Sequence, residues 1–450
     1  MSTRQASCLA PIMAAELVHD TRDIAAPLVA WYRAHKRDLP WRVGSPYAVW
    51  ISEIMLQQTQ VATVVPYFLR FMERFPSVEA LAAAPIDDVL RHWAGLGYYA
   101  RARNLHRAAQ IVAAEHGGRV PDTAAAIRAL PGIGRYTAGA ILSIAYGVPL
   151  PLVDGNVVRV LSRLTGMRGD PKSAANQAAL WTLAERLVPA VRPCDFNQGL
   201  MELGALVCRP DEPLCEQCPL LPHCVAGNSP DPTAYPEIPP GRTTIPVSHA
   251  SAIVVAAGSR LQVAGQCEAG AAAGSRLQVA GQCEAGAASG SRLQVAGECD
   301  VVPAGNQEPG TRNHEPATSY QLLLTRRPAH GLWGGLWEFP RVICDKGEDP
   351  AAAAGRAARE AAGVEVEVGE RVALIKHSVT HHKITLHGFL ARLEPPDQEP
   401  RPAGCAEARW VPLTDLEGYA MAAPQALLRA AVKEQLAGEH RGSAQPSLEL

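Results

Sequence analysis

The sequence predicts a multidomain protein in which an all-α domain is followed by an α+β domain. The chain has 450 residues, and a domain typically takes roughly 100 to 200 residues, so two or three domains are expected. From residue 27 to about residue 205, amphipathic helical patterns alternate with short Gly and Pro breaks and show little strand-like alternation. From residue 248, short apolar runs typical of strands surround a helical stretch. We therefore predict a helical domain over 24–228 and an α+β domain over 248–436.

The remaining segments are predicted to be connections and ends. Residues 1–23 are expected to form a disordered N-terminus, 229–247 an interdomain linker rich in Pro, Gly and polar residues, and 437–450 a flexible tail. The α+β domain contains an insertion over 258–316 in which a unit beginning GSRLQVAG occurs twice in full and once in part. Solenoids usually need at least about three longer units, so we interpret the insertion as a tandem duplication in a loop.

Composition argues against a membrane protein. The longest apolar stretches, such as AGAILSIAYGV, are well short of the roughly 20 residues that a bilayer requires, and the N-terminus lacks a signal-peptide pattern. The net charge is -2, which does not by itself indicate a nucleic-acid partner. We expect a cytoplasmic protein.

Four cysteines lie close together in the segment CRPDEPLCEQCPLLPHC. Six, two and five residues separate Cys208, Cys215, Cys218 and Cys224. In a reducing compartment, thiolates this close usually bind a metal or an iron–sulfur cluster. Zinc is the alternative, because four thiolates also suit a tetrahedral site, but zinc modules typically use two short hooks and this run has one. We favour a [4Fe-4S] cluster.

The stretch LPGIGRYTAG places two glycines at a turn in front of a predicted helix. Gly132 and Gly134 would let backbone N–H groups point outward together, and a helix N-terminus adds partial positive charge. The turn could therefore bind a DNA phosphate, or it could be an ordinary helix-turn-helix corner. Downstream, Asp154 lies in a turn just ahead of a helix, where it could be a cap or a catalytic carboxylate.

A set of motifs occurs in one order along the chain: SEIMLQQTQV, GLGYYARARNL, LPGIGRYTAGAI, VDGNVVRV, FNQGLMELGALVC and the four-cysteine run. Together they resemble the adenine DNA glycosylases of the MutY family, which belong to the helix-hairpin-helix glycosylases. The likeness runs from about residue 31 to residue 224, and the region after it resembles the Nudix-like C-terminal domain of that family. The resemblance implies base excision repair of adenine mispaired with 8-oxoguanine or guanine in double-stranded DNA, with a [4Fe-4S] cluster as cofactor.

Hydrolysis of an N-glycosidic bond calls for an acid and a second carboxylate. Glu53 is flanked by apolar residues, so we expect a buried carboxyl with a raised pKa rather than a capping or surface role. The resemblance assigns to Glu53 the protonation of adenine at N7 and then the activation of water, and to Asp154 the stabilisation of the sugar cation. The resemblance places Tyr136 at the position where endonuclease III-like lyases have a lysine that attacks the sugar. Tyrosine cannot form a Schiff base. We predict base removal without strong lyase activity, with Tyr136 orienting Asp154 or the water and Asn156 helping to position them.

The resemblance also assigns residues to the recognition of bases. Gln58 and Tyr98 match positions that enter the duplex near the lesion, with Tyr98 stacking beside the oxidised guanine; alternatively, Tyr98 packs in its Gly-bounded turn. Arg101 and Arg103 are candidate phosphate contacts, or ordinary arginines of a solvated helix face. The adenine pocket would be lined by Arg37, Trp41, Arg42 and Gln198.

The α+β region also resembles Nudix hydrolases, in the stretches GLWGGLWEFP and RAAREAAGV. A working Nudix helix needs a cluster of glutamates for magnesium. This chain keeps Arg356 and Glu360 but has Ala357 and Ala361 where glutamates belong. We therefore expect magnesium binding to be lost and the domain to act as a binding module.

The segment KHSVTHHKI resembles the family's loop that recognises 8-oxoguanine opposite the target adenine. Thr380 and His381 match its Ser and His, whereas Val379 replaces the usual aromatic residue. Lesion recognition would then depend more on hydrogen bonds from Thr380 and His381 than on stacking.

Further expectations concern partners and rival functions. The C-terminal hexapeptide QPSLEL is similar to the peptide that bacterial repair proteins dock on the replication sliding clamp, although Pro446 departs from the favoured leucine. We expect a monomer that associates with the bacterial nucleoid. The rival functions are an endonuclease III-like bifunctional lyase, a catalytically inactive mismatch sensor and, with the least support, a Nudix nucleotide hydrolase.

Overall fold

The computed structural model describes residues 21–42, 44–239, 243–257, 320–379 and 381–438. Several predictions fall outside these residues. They are the disorder of residues 1–20, the insertion with its repeats, the role of Thr380 and the clamp-binding peptide at the C-terminus. Residues 21–23, which we had assigned to the disordered N-terminus, form the start of the first helix.

The first half of the chain is helical, as predicted. Its α-helices, within the described residues, are α1 (Thr21–His35), α2 (Pro46–Leu56), α3 (Val61–Arg74), α4 (Val78–Ala83), α5 (Ile86–Trp93), α6 (Ala100–Glu115), α7 (Ala124–Arg128), α8 (Arg135–Tyr146), α9 (Gly155–Thr165), α10 (Ala174–Leu187) and α11 (Pro193–Leu206). The cysteine-rich segment follows α11 and contains short 3-10 turns at Cys215–Gln217 and Leu221–His223.

Helix α2 is the central element of this half. It begins where Ser45 accepts a hydrogen bond from the Ala48 amide and Pro46 occupies the first turn, a combination that stabilises a helix start. Nearly all of its side chains are buried, including Trp50 and Glu53. A helix that is apolar on every side lies inside a domain, so α2 carries its single carboxylate into the interior.

The helical half contains two hydrophobic cores. The first is built mainly from α2 to α7, with large buried side chains such as Trp50, Phe71 and Trp93. The second joins α1 to α9, α10 and α11 through residues such as Leu28 and Phe196. Helix α8 contributes to both cores. It therefore fixes the position of the first core, which carries α2, relative to the second, which carries α9.

The second half is an α+β domain, as predicted. Its elements are β1 (Ile245–Ala257), β2 (Tyr320–Arg326), β3 (Trp337–Glu338), β4 (Arg341–Ile343), α12 (Pro350–Ala362), β5 (Val366–Val379), β6 (His382–Leu393), β7 (Glu407–Pro412) and α13 (Ala423–Gly438). Strand β1 begins inside the range that we assigned to the linker.

The strands of this domain form one mixed sheet. Its order is β3-β2-β1-β6-β5, with β4 paired to β1 and β7 paired to β2. The β1–β6 pair is parallel and runs from Ile245 opposite His382 to Val255 opposite Arg392; the other pairs are antiparallel. Alternate residues of β1 point to opposite faces, so α12 covers one face and α13 the other.

The two domains are packed against each other. Leu336, Ala420 and Ala422 of the second domain belong to the first core of the helical domain. Arg326 forms an ion pair with Asp87 of α5. Apolar packing together with an ion pair fixes which loops of the sheet domain lie beside α5 and α6.

Within the described residues, none of the helices is long and apolar enough to cross a membrane.

Replacement of Phe71 by Ala should lower the free energy of unfolding by about 3 to 5 kcal/mol, because it leaves a cavity in a packed core. Phe71 is fully buried, with its ring centroid 4.8 Å from that of Phe75 and 6.0 Å from that of Trp93. Urea titration followed by tryptophan fluorescence measures the change. Leu69 on the same helix is 53% exposed, and Leu69→Ala should change stability by no more than about 0.5 kcal/mol. Equal effects of the two substitutions would contradict this description of the core.

Candidate active site

A buried carboxylic acid on α2 is hydrogen-bonded to a tyrosine on α8. Glu53, on α2, is only 4% exposed. Tyr136, in the first turn of α8, donates a hydrogen bond from its hydroxyl to Glu53 Oε2 at 2.8 Å. The two residues are 83 positions apart in the sequence, and the packing of α2 against α8 brings them together.

The pKa of Glu53 is raised to about 7. Burial is the main cause, because it disfavours the charged carboxylate. The hydrogen bond from Tyr136 opposes the shift, and the nearby Asp154 carboxylate adds to it. The pKa of Tyr136 is raised well above its ordinary value by burial and then by the two carboxylates. Tyr136 therefore stays protonated and acts as a donor. Its hydroxyl donates to Glu53 rather than to Asp154, whereas the sequence had predicted that it orients Asp154 or the water.

Asp154 lies just ahead of α9, as the sequence indicates, and it caps that helix. Its Oδ1 accepts from the Val157 amide at 2.7 Å, and its Oδ2 accepts from Asn156 Nδ2 at 3.3 Å. Burial raises the pKa of Asp154, while these hydrogen bonds act to lower it. The donors hold one face of the carboxylate, as is typical of a helix cap, and they fix its position beside Glu53.

Arg159, which the sequence analysis missed, links this carboxylate to the cysteine-rich segment. Its Nη2 donates to Asn156 Oδ1 at 2.9 Å and to the Gly204 carbonyl at 2.7 Å. Its Nε donates to the Cys208 carbonyl at 2.7 Å. Asn156 and Arg159 are three residues apart on α9 and therefore share a face. A continuous chain of hydrogen bonds thus runs from Asp154 to the first cysteine of the segment.

The four predicted ligand cysteines line one small pocket, together with Arg163 and apolar residues. All four thiols are free. Burial raises the pKa of Cys218 to about 12, and the neighbouring cysteines add to the effect. Arg163 is buried, and its Nη1 lies 3.6 Å from Cys208 Sγ. The same guanidinium donates to the carbonyls of Pro210 and Tyr235. In the described parts of the chain, no group of three or more His, Cys, Asp or Glu side chains is arranged to hold a single metal ion.

Two of the four predicted adenine-pocket residues meet at a carboxylate that the sequence analysis missed. Arg37 binds Glu202 through two nitrogens, Nε at 2.8 Å and Nη2 at 3.0 Å, and Arg42 Nη2 lies 2.8 Å from Glu202 Oε2. These bonds lower the pKa of Glu202 despite its burial. Glu202 is the only carboxylate in the apolar run LMELGAL, and this isolation was the available signal.

The other two predicted pocket residues have different surroundings. Trp41 is buried, with its ring edge-on to Phe68 at a centroid distance of 5.4 Å. Gln198 donates to Cys194 Sγ at 3.1 Å. These contacts differ from those of the two arginines, so a common role of the four residues in an adenine pocket stays a prediction.

The glycine turn ahead of α8 has the backbone that the sequence suggested. Gly132 has a φ of 80°, which a side chain would strain, and a Cβ there would come 2.8 Å from Asn104 Cβ. Gly134 is the N-cap of α8 and has no side-chain cap; a Cβ there would meet nothing within 4 Å. The helix start is therefore open, and its contact with DNA remains a prediction.

Arg101 follows neither of the two readings that the sequence left open, a phosphate contact or an arginine of a solvated helix face. Its guanidinium donates to backbone carbonyls of the protein, such as Ile54 O at 2.9 Å and Gly97 O at 3.2 Å. The neighbouring Arg103 likewise donates to the Gly334 carbonyl of the second domain.

Gln58 and Tyr98 both have left-handed backbone conformations, and the Tyr98 side chain is 50% exposed.

The sheet domain holds the remaining predicted residues. His381 lies between β5 and β6, with its ring 4.1 Å from that of His382, and Thr380 beside it is outside the described residues. On α12, Arg356 binds Glu360 through Nη1 at 3.0 Å and Glu348 through Nη2 at 2.7 Å. The glutamate of α12 that the Nudix pattern retains is therefore in an ion pair.

Comparison with known proteins gives two matches to family models and a set of curated relatives. Residues 51–186 match the HhH-GPD superfamily base excision DNA repair protein, and residues 317–431 match the NUDIX domain. The adenine DNA glycosylase of Rattus norvegicus is 34% identical over 97% of this chain and 84% of its own length. The adenine DNA glycosylase of Homo sapiens is 38% identical over 75% of this chain, and the match spans 61% of the human protein.

A solved structure with a similar region is described as that of a thermostable thymine-DNA glycosylase. It is 34% identical, covers 46% of this chain and 95% of its own, and superposes with a TM-score of 0.42.

Replacement of Glu53 by Gln should stabilise the protein at high pH. The folded pKa of Glu53, about 7, exceeds the ordinary 4.5, so the folded state binds the proton more tightly and wild-type stability falls as pH rises between these values. Glutamine does not titrate, so the variant does not lose this part of its stability as the pH rises. Relative to wild type, the variant should gain about 2 to 3 kcal/mol between pH 5 and pH 8, measured by urea titration at both pH values. The exposed Glu115 provides the control Glu115→Gln, and a gain for Glu53→Gln no larger than that of the control would refute the raised pKa.

Proposed function

The chain belongs to the adenine DNA glycosylase family, and from this premise we propose that it hydrolyses the N-glycosidic bond of adenine mispaired with 8-oxoguanine or guanine in double-stranded DNA. The observation that carries the proposal is the buried Glu53 carboxyl, with its pKa near 7, beside the ionisable Asp154 and the donor Tyr136. A carboxyl group that can give up a proton near neutral pH and a second one whose charged form is held by hydrogen-bond donors are the groups that glycosidic hydrolysis requires.

In the first step, Glu53 acts as general acid. A carboxyl with a pKa near 7 is partly protonated at neutral pH and can give its proton to the departing base. The resemblance to the family places this proton on N7 of adenine. The bond from C1′ to the base then breaks with its electron pair going to the base, and a cation is left on the sugar.

Asp154 would stabilise that cation as a carboxylate. The Val157 amide and Asn156 donate to its oxygens, which favours the charged form against the effect of burial. Glu53, now ionised, would accept a proton from a water molecule whose oxygen bonds to C1′. This step returns Glu53 to its acidic form and completes the hydrolysis.

Tyr136 supports the assignment as a monofunctional enzyme. Its hydroxyl is committed to Glu53 as a donor, and it offers no amine that could attack the sugar and form a Schiff base. This chain therefore lacks, at this position, the amine nucleophile that an endonuclease III-like lyase would need. A catalytically inactive sensor would have no need of a buried ionisable glutamate, which lowers stability at neutral pH.

Recognition of adenine requires that the base leave the helix and enter a pocket. We propose that Gln58 and Tyr98 enter the duplex and that Arg37, Trp41, Arg42 and Gln198 line the pocket. Glu202 would hold the two arginine side chains in place through the bonds described above.

The cysteine-rich segment is proposed to hold a [4Fe-4S] cluster. Four free thiols around one apolar pocket fit this group chemically. Cys208, Cys215, Cys218 and Cys224 would be its ligands, and the bound cluster would act as a rigid cross-link of the segment. Arg159 and Arg163 fasten the start of this segment to α9 through the carbonyls of Cys208 and Pro210, and Arg163 also binds the Tyr235 carbonyl beyond the segment.

The sheet domain is proposed to read the base opposite the adenine through Thr380 and His381. The paired state of Glu360 and the loss of two glutamates on α12 favour a binding module over a nucleotide hydrolase. Docking of the C-terminal hexapeptide on a sliding clamp, a monomeric state and association with the nucleoid belong to the same proposal.

The test is strand breakage of a duplex with adenine opposite 8-oxoguanine, without added magnesium and with or without hot alkali. We expect breakage only after alkali, because the base is removed and the backbone is left intact. Glu53→Gln should slow the single-turnover rate by about 100-fold or more, whereas Glu115→Gln should match wild type. Breakage without alkali would identify a lyase, and intact DNA after both treatments would refute the proposed activity.

Metal analysis of purified protein tests the cofactor. We expect four iron atoms per chain in wild type and loss of most of the iron in Cys218→Ser, because one ligand of the cluster is removed. Cys405, a free and half-buried cysteine of the sheet domain, gives the control Cys405→Ser, which should keep the wild-type iron content. One zinc atom and no iron in wild type would decide for the zinc alternative.

A further inference from the structure

The side chain of Arg101 lies between two loops and binds both. On one side are the residues after α2, where Nη1 donates to the carbonyls of Met55 at 2.8 Å and Gln57 at 2.5 Å, and Nη2 donates to Thr59 Oγ1 at 3.1 Å. On the other side is the loop before α6, where Nη2 donates to the carbonyls of Leu96 and Gly97, each at 3.2 Å. A single guanidinium group therefore joins two segments that are about forty residues apart in the chain.

Two of these carbonyls have a special place in the sequence. The Gln57 carbonyl belongs to the peptide bond that precedes Gln58, and the Gly97 carbonyl belongs to the one that precedes Tyr98. Gln58 has a φ of 58° and Tyr98 a φ of 48°. Both values lie in the left-handed region, which residues other than glycine rarely adopt. Such conformations persist only where surrounding contacts impose them. Arg101 supplies a contact at both positions.

The chemistry of the contact requires arginine. A guanidinium has five N–H donors in a rigid plane, whereas a lysine ammonium has three donors at one point. The planar group also lies near two aromatic rings, with its central carbon 5.4 Å from the centroid of Trp93 and 5.4 Å from that of Tyr98. Burial lowers the pKa of Arg101 to about 10, so the group is still charged at neutral pH.

We propose that Arg101 is a positioning residue that fixes Gln58 and Tyr98 together, so that both side chains meet the duplex in one defined arrangement. The inference rests on the proposed function, in which these two residues enter the DNA. It also predicts which step Arg101 serves. Displacement of the base from the stack depends on the two loops, whereas cleavage of the glycosidic bond depends on Glu53 and Asp154.

The experiment compares Arg101→Lys with wild type on two substrates under single-turnover conditions. One duplex has adenine paired with 8-oxoguanine, and the other has adenine opposite an abasic-site analogue, where no pair has to be opened. A misplacement of about 1 Å can cost about 100-fold in rate, and we expect a loss of this order for the paired adenine and less than about 3-fold for the unpaired one. The control is Arg107→Lys, on the same helix, whose side chain is exposed and donates to Asn104. It should behave as wild type on both substrates.

A double-mutant cycle with Tyr98→Ala tests whether Arg101 acts through the loop. If it does, Arg101→Lys should cost far less in the Tyr98→Ala background than in wild type, because coupled residues are not additive. Should Arg101→Lys fail to fold, Thr59→Val removes a single bond of the set and should show the same preference for the paired substrate with a smaller loss.

Two outcomes would overturn the inference. Equal losses of rate on the two substrates, or additive effects in the cycle, would show that Arg101 only supports the fold in general. The proposed function would not be affected by that outcome. A wild-type protein that releases adenine from neither duplex would instead remove the proposed function and the inference with it.

Discussion

The constraint on which the site depends is the burial of a carboxyl group inside an apolar helix. Glu53 lies on α2 among side chains of the first core, where a charged carboxylate is poorly solvated and its pKa rises to about 7. The group can be tolerated because Tyr136 donates to it and because two large hydrophobic cores stabilise the helical domain. The same burial that lowers stability gives the carboxyl its capacity to donate a proton near neutral pH.

Arginines that are partly or fully buried bind backbone carbonyls of the helical domain. Arg101 binds the carbonyls at the C-terminal end of α2, Arg159 joins α9 to the carbonyls of Gly204 and Cys208, and Arg163 binds carbonyls of the cysteine-rich segment and beyond. Each guanidinium satisfies carbonyls that end a helix or belong to a loop, where helical partners are missing. Charge that would suit a DNA phosphate is thus used within the protein. This explains why Arg101 follows neither reading of the sequence, since composition cannot tell a surface arginine from one that is turned inward.

The domain interface brings the sheet domain against the segment that carries Tyr98. Tyr99, the next residue, donates from its hydroxyl to the Met421 carbonyl, and Arg103 donates to the Gly334 carbonyl. One loop therefore faces the proposed DNA surface through Tyr98 and the second domain through Tyr99. A domain proposed to read the opposite base is in direct contact with the loop proposed to open the pair.

From the sequence alone we predicted the all-α and α+β halves, the burial of Glu53 and a helix that begins just after Asp154. These features follow from local periodicity, apolar neighbours and the residues at helix starts, which are written in short windows of the chain. The folded structure was needed to show that Tyr136 donates to Glu53, that Glu202 binds Arg37 and Arg42, and that Arg159 joins Asn156 to Cys208. Such pairings depend on which helix faces pack together over separations of dozens to more than a hundred residues, and no local pattern encodes them.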